Sequence, residues 1–210
     1  QIHPERQALG LPARLRRQTQ SRRQRLRLRT SRPWRCQPHA VRPVLQGRFG
    51  NPHFFADLDE GKSHVEIDFR STLGISQLRA LIQSADVVIE GSRPRALQQL
   101  GIEVDEILGN ARPQVWLSIT GYGRQGLAGQ RVGFGDDCAV AGGLVEFIST
   151  GPQFLGDAVA DPISGMVAAT VILKAIAEQK TCLVEVSLAE SAAWLNSVRE
   201  NRESRRDSNS

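Results

Sequence analysis

Three short runs rich in β-branched and other apolar residues decide what this chain can fold into. They are Asp86-Val87-Val88-Ile89-Glu90, Val115-Trp116-Leu117-Ser118-Ile119 and Leu183-Val184-Glu185-Val186-Ser187-Leu188. Runs this apolar and this short read as sheet strands, and 86–90 has the pattern of a parallel strand covered on both faces. His64-Val65-Glu66-Ile67-Asp68-Phe69 alternates apolar and polar residues, as a half-buried strand does. Helical patterns lie between them. Residues 74–84 place Ile75, Leu78, Leu81 and Ile82 at helical spacing, 96–108 reads as helix, Gly101 break, helix, and 162–178 is a strongly apolar helix. Residues 189–198 look helical and 199–210 form a polar, frayed tail. Strands alternating with helices imply a parallel α/β architecture, and 210 residues suffice for one such domain with a real core.

The charge is divided along the chain. Residues 1–50 hold 13 arginines, no lysine and one acid, Glu5, while residues 51–210 hold 14 basic and 21 acidic side chains, a net of −7. The total of +5 therefore hides a basic arm joined to an acidic body. The arm has no sustained amphipathic period and few apolar residues to bury, so it is expected to be disordered. As a working segment it would tether the chain to a polyanion. Its Arg, Gln and Pro bias with almost no acid also matches an out-of-frame reading of GC-rich DNA, and that reading is preferred.

Cys36, Cys138 and Cys182 are odd in number and lack metal-ligand spacing, which supports neither a disulfide framework nor a metal site. A reducing cytoplasm is the expected compartment. No run is expected to reach the length of a membrane span, and no secretory signal pattern opens the chain.

The segment from Phe154 to Met166 places Asp157 and Asp161, with Gly156 and Gly165, just ahead of the apolar helix. An acid followed by proline is the grammar of a helix start, so Asp161 reads as N-cap and Pro162 as first helical residue. The positive end of the helix would lower the Asp161 pKa. Alone, this pattern describes either a capping acid, the commoner case, or a carboxylate nucleophile at a cleft.

The motifs, taken in order, resemble those of the family III CoA-transferases. They are Gly61-Lys62-Ser63, Ala85 to Glu90 with Arg93-Pro94, Leu100-Gly101-Ile102, Ser118-Ile119-Thr120-Gly121-Tyr122-Gly123, Ala141-Gly142-Gly143-Leu144, Gly156 to Gly165, and Glu185-Val186-Ser187-Leu188. Each is short; the collinear set over roughly residues 53–195 is what makes the resemblance specific. It implies a Rossmann-like parallel sheet with flanking helices, the large-domain core of such an enzyme, at 51–198. The substrates it implies are an acyl-CoA and a carboxylic acid, without metal, nucleic acid or membrane. It also implies a homodimer, interlocked in the family, or a complementary chain.

The same resemblance places the catalytic aspartate at Asp161, which would attack the thioester and carry the acyl group and then CoA. Gly121 and Gly123 would let backbone approach CoA, or else serve an ordinary turn. Arg131 would meet CoA phosphates, or stand as a solvated surface arginine, and Phe134 would be an aromatic near the site or simply core. Asp136 and Asp137 fall one residue away from a family acid, with a loop acid pair as the alternative. Asp157 is expected to be a loop acid supporting the site, and His53 and His64 have no role. The acyl-CoA racemases share the fold but need a histidine near Phe134, and no histidine follows His64. A transferase is therefore preferred.

Departures from the pattern accompany the resemblance. Residues 1–50 lack the strand, glycine turn and helix with which the family begins, and the match ends where family members continue. A truncated chain, poorly stable or inactive alone, is the expectation, because an absent first strand leaves a sheet edge open. A non-catalytic remnant or an Arg-rich polyanion-binding protein is the alternative function.

Overall fold

A computed structural model describes residues 13–17, 39–43, 53, 56–57, 60–110 and 114–207. The chain divides into two compact units: Gln1–Thr19 with Ala85–Ser210, and Gln20–Ser84.

Strand β1 (Ala13–Arg17) belongs to the larger unit; in the smaller one β2 (His39–Pro43) pairs in parallel with β3 (Ser63–Ile67), Val41 opposite Val65. After β3 the chain turns on Asp68, whose Oδ1 accepts the Arg70 N–H at 2.9 Å. Helix α1 (Thr72–Ser84) follows and buries Leu78 and Ile82, two of the four positions its spacing singled out.

The larger unit is built on a four-stranded sheet. In spatial order it runs β1 (Ala13–Arg17), β8 (Cys182–Ser187), β5 (Val115–Thr120), β4 (Val87–Glu90). β4, β5 and β8 are parallel, as the apolar runs require, and β1 lies antiparallel along β8 with Ala13 opposite Val186. Finding strands at 13–17 and 39–43 corrects the expectation of disorder there. Main-chain pairing needs no side-chain period, so pattern reasoning passes over such strands. β1 also pairs along the edge of β8 that β5 does not occupy. The rest of the arm lies outside the described residues.

Between β4 and β5 come α2 (Pro94–Gln99) and α3 (Val104–Asn110). They are separated at Gly101, which sits at φ +66 where a side chain would be strained. After β5 come a 3-10 turn at Ala128–Gln130, helix α4 (Gly135–Ala141), the hairpin β6 (Val145–Ile148) and β7 (Gly151–Phe154), and helix α5 (Ala160–Ala177). Helix α6 (Leu188–Asp207) ends the described chain. It includes residues 199–207, which the sequence assigned to a frayed tail. Glu and Arg residues favour continuing the helix, and Asn196 donates to Glu200 at 3.0 Å and Asn201 to the Ser197 carbonyl at 2.7 Å.

The main core lies between the sheet and α5. Val115 and Leu117 of β5 and Cys182, Val184 and Val186 of β8 meet Val167, Ala168, Val171, Ile172 and Ala175. All six residues of β8 are buried, which is why its run is apolar on both faces except at Glu185 and Ser187. By length and composition α5 could cross a membrane, contrary to the sequence expectation. In this fold Val167, Ala168, Val171, Ile172 and Ala175 of the helix pack in the core with the sheet, while Met166 and Leu173 are exposed. A second core joins α4, α5 and α6 through Cys138, Ala139, Leu144, Ala160, Ile163, Leu188 and Ala192. Leu117 is 1% exposed at the centre of the main core. Leu117→Ala is expected to lower the unfolding free energy by about 2–5 kcal/mol, read from a urea melt, through lost burial and the cavity left behind.

Candidate active site

In open α/β sheets the carboxyl ends of parallel strands gather the loops that bind ligands. Here β5 emerges into the glycine loop at Gly121, and α5 runs antiparallel to β8, so its N-terminus returns to the same end. Asp161 sits there in the first turn of α5, exposed. It is not the N-cap. The cap position belongs to Val159, in helical conformation and without a side-chain cap, so Asp161 is the second helical residue and Pro162 the third. The turn before it is unusual. Ala158 has φ +45, left-handed for a residue with a side chain. Its carbonyl accepts the Asp161 N–H at 2.9 Å and its own N–H donates to Asp136 Oδ1 at 2.7 Å. Asp136 thus reaches across from α4 to hold the turn that presents Asp161.

Gly135, the first residue of α4, fits tightly against this turn. A Cβ built there would meet Asp161 Oδ2 at 2.5 Å and the Ala158 carbonyl oxygen at 2.6 Å. The carboxylate therefore rests directly on glycine backbone. Partial desolvation, then the charges of Asp136 and Asp137, raise the Asp161 pKa above the ordinary carboxylate value. This reverses the expected lowering. The helix terminus is one influence among several, and here burial and two like charges outweigh it.

Asp137 is tied differently. Its Oδ1 accepts the Phe134 N–H at 2.6 Å and its Oδ2 accepts the Tyr122 hydroxyl at 2.8 Å, which together hold its pKa down. The acid three residues past the N-cap Phe134 forms half of a capping box, closing the start of α4. The same hydrogen bond, helped by burial, pushes the Tyr122 pKa up to about 12. The Arg131 guanidinium stacks 4.1 Å above the Tyr122 ring. The Phe134 side chain stays 72% exposed, so it is not core.

Of the two glycines singled out, only Gly123 has positive φ, at +94, with its N–H on Thr120 Oγ1 at 3.0 Å and open space where a side chain would go. Gly121 is needed for close packing instead. A Cβ there would strike Gly133 Cα at 2.8 Å, and its carbonyl accepts the Ala189 N–H and the Ser187 hydroxyl at 3.0 and 3.1 Å. Asp161, Phe134, Arg131, Gly121 and Gly123 all lie in the larger unit. Hydrogen bonds and packing link α4, the turn before Asp161 and the loop carrying Tyr122. Asp157 is exposed in the bend before that turn. Sequence reasoning missed Gly135 and Tyr122. The available signal was Phe134-Gly135-Asp136-Asp137, a cap followed by an acid at the third helical position. Among the described residues no group of acids, histidines and cysteines is arranged to hold a metal.

The description CoA-transferase family III matches residues 35–203 of this chain. The chain belongs to that family. The match begins inside the segment that the charge distribution assigns to the arm, and it takes in β2. A CaiB/baiF CoA-transferase family protein of Caenorhabditis elegans is 29% identical over 70% of this chain and 46% of its own length. A probable fatty acyl-CoA transferase of Mycobacterium tuberculosis is 27% identical over 74% of this chain and 41% of its own. The crystal structure of a hypothetical protein from M. tuberculosis superposes with a TM-score of 0.61 at 27% identity, over 68% of this chain and 43% of that one. This family III chain thus spans less than half the length of the curated relatives it matches.

Proposed function

We propose that this chain carries the nucleophile of a CoA-transferase that moves CoA between an acyl-CoA and a carboxylic acid. The observation that supports it most is Asp161, a carboxylate seated on the Gly135 backbone at the ligand-binding end of a family III sheet. In the proposed reaction an Asp161 carboxylate oxygen attacks the thioester carbonyl. The C–S bond breaks, CoA leaves as thiolate, and a mixed anhydride remains. The thiolate then attacks the aspartyl carbonyl, releasing the first acid and leaving an aspartyl-CoA thioester. The acceptor carboxylate attacks that thioester, a second anhydride forms, and the returning thiolate takes the new acyl group and frees Asp161.

The environment of Asp161 suits these steps. Partial desolvation, then crowding by Asp136 and Asp137, make its anion costly and so more nucleophilic, and acylation removes that charge. The Gly121–Gly126 loop and Arg131 are the groups we assign to CoA, the arginine pairing with its phosphates. We keep the acting unit at 51–198, with a second copy or a complementary chain completing the enzyme and no metal taking part. The name of the M. tuberculosis relative favours a fatty acyl-CoA as donor.

The test incubates the purified chain with an acyl-CoA, quenches with hydroxylamine and maps the modified peptide by mass spectrometry. A hydroxamate at Asp161, with a melting temperature that rises in free CoA, is the expected result, since only native-state binding raises stability this way. No modification together with a CoA-blind melt would sink the reading.

A further inference from the structure

Glu90, Ser118 and Glu185 stand in register in the carboxyl halves of β4, β5 and β8, one residue from each of the three parallel strands. Glu185 and Ser118 are buried polar residues within apolar runs, and Glu90 is half-buried beside them. The Glu90 carboxylate takes four hydrogen bonds. Oε1 accepts from Ser118 at 2.5 Å and Arg124 Nη1 at 2.9 Å, and Oε2 accepts from the Ser92 N–H at 2.8 Å and its hydroxyl at 2.6 Å. Arg124 Nη1 also donates to Ser118 Oγ at 2.7 Å, and its Nε lies 3.8 Å from Glu185 Oε1. The Arg124, Glu90 and Glu185 side chains are only 15, 10 and 8% exposed.

Arg124 belongs to the loop that leaves β5, and its backbone is held from the other side. A Cβ on Gly129 would meet the Arg124 carbonyl oxygen at 2.5 Å. The loop is thus pinned at one residue to all three parallel strands. Two positions earlier the same loop presents Tyr122, which holds Asp137 and with it the start of α4 against Asp161.

We propose that Arg124 is the positioning residue of this site: gripped by Glu90, Ser118 and Glu185, it fixes the loop through which Tyr122 and Asp137 set α4 against Asp161. The proposal rests on Asp161 being the nucleophile, but its central claim has a separate readout. Tyr122 is the single tyrosine of the chain, so its ionisation is read directly from tyrosinate absorbance as pH rises. The groups facing it are Asp137 and Cys138 of α4 and the Arg131 guanidinium.

In the full chain the Tyr122 midpoint is expected near 12. Asp137→Asn marks the loop released from α4, with a midpoint falling toward the ordinary value of 10. Arg124→Ala is expected to fall with it by about one unit or more, and to slow acyl capture at Asp161 at least about tenfold. Arg124→Lys should recover part of both. The 13Cζ resonance of Tyr122 at neutral pH reports the same hydrogen bond without alkali and should shift in the same order. A folded Arg124→Ala chain with the wild-type midpoint and resonance overturns the proposal, as does one whose midpoint falls while capture keeps its rate. Should Arg124→Ala fail to fold, Glu90→Gln decides, since it weakens the grip and must lower the midpoint; an unmoved midpoint overturns the idea. If the wild-type chain captures no acyl group, the nucleophile reading fails, and the tyrosine titration still settles the brace.

Discussion

Gly135→Ala is expected to cut acyl capture at Asp161 by about a hundredfold or more, while the chain remains folded at room temperature. The added methyl group has nowhere to go. Its nearest neighbours would be Asp161 Oδ2 at 2.5 Å, the Ala158 carbonyl oxygen at 2.6 Å and Ala158 Cα at 2.7 Å. Two of the three are backbone, in a turn already held left-handed at Ala158 by Asp136, so a side-chain rotation cannot relieve the clash. Either α4 retreats or the turn carrying Asp161 moves, and a displacement near 1 Å at a reacting group costs on the order of a hundredfold. Overpacking of this kind also costs about 1–3 kcal/mol in stability, which a urea melt would show. The two effects separate cleanly, because a loss of capture measured well below the melting temperature cannot come from unfolded chain. Capture at the wild-type rate in Gly135→Ala would mean that the carboxylate and α4 are not in contact during the reaction.

The reason Gly135 escaped the sequence reading is also the reason much of the sheet did not. Val115 to Thr120 and Cys182 to Ser187 are strands whose covered faces write themselves as apolar runs, Val87 to Glu90 shows the same run but leaves Ile89 exposed rather than covered on both faces, and α1 and α5 announce themselves by spacing and length. Burial is a local signal there. Where the deciding partner is distant, nothing local marks it. β1 is set by main-chain pairing to β8, some 170 positions away along the chain. The β6–β7 hairpin turns through Ser149-Thr150 without the Asn-Gly or Asp-Gly signature that usually betrays a two-residue loop. Helix α4 has only seven residues, too few to show a period. At the site, the Asp161 position was legible from Asp-Pro ahead of an apolar helix. Its electrostatics were not, because the burial that desolvates it and the charges of Asp136 and Asp137 come from residues distant in sequence, the two acids more than twenty residues upstream on α4.

That electrostatic reversal gives the remaining large prediction. Asp161→Asn is expected to lower acyl capture by more than about a thousandfold, since an amide cannot form the anhydride. The same substitution should raise the melting temperature at neutral pH. Folding raises the Asp161 pKa above 3.8, so the fold favours the protonated acid. Its contribution to stability is then fully present below that ordinary value and is lost as pH rises through the raised folded value. At neutral pH the wild-type chain therefore carries an anion that the fold disfavours, and the amide does not. The difference in melting temperature between variant and wild type should be positive at pH 7, narrow as the solution is acidified through the folded pKa, and vanish below about pH 4. A plain capping carboxylate behaves in the opposite way. It is stabilised by the helix terminus, its loss lowers the melting temperature at neutral pH, and the deficit fades in acid. The sign of one difference melt at pH 7 thus separates an aspartate held ready for attack from one that merely starts a helix.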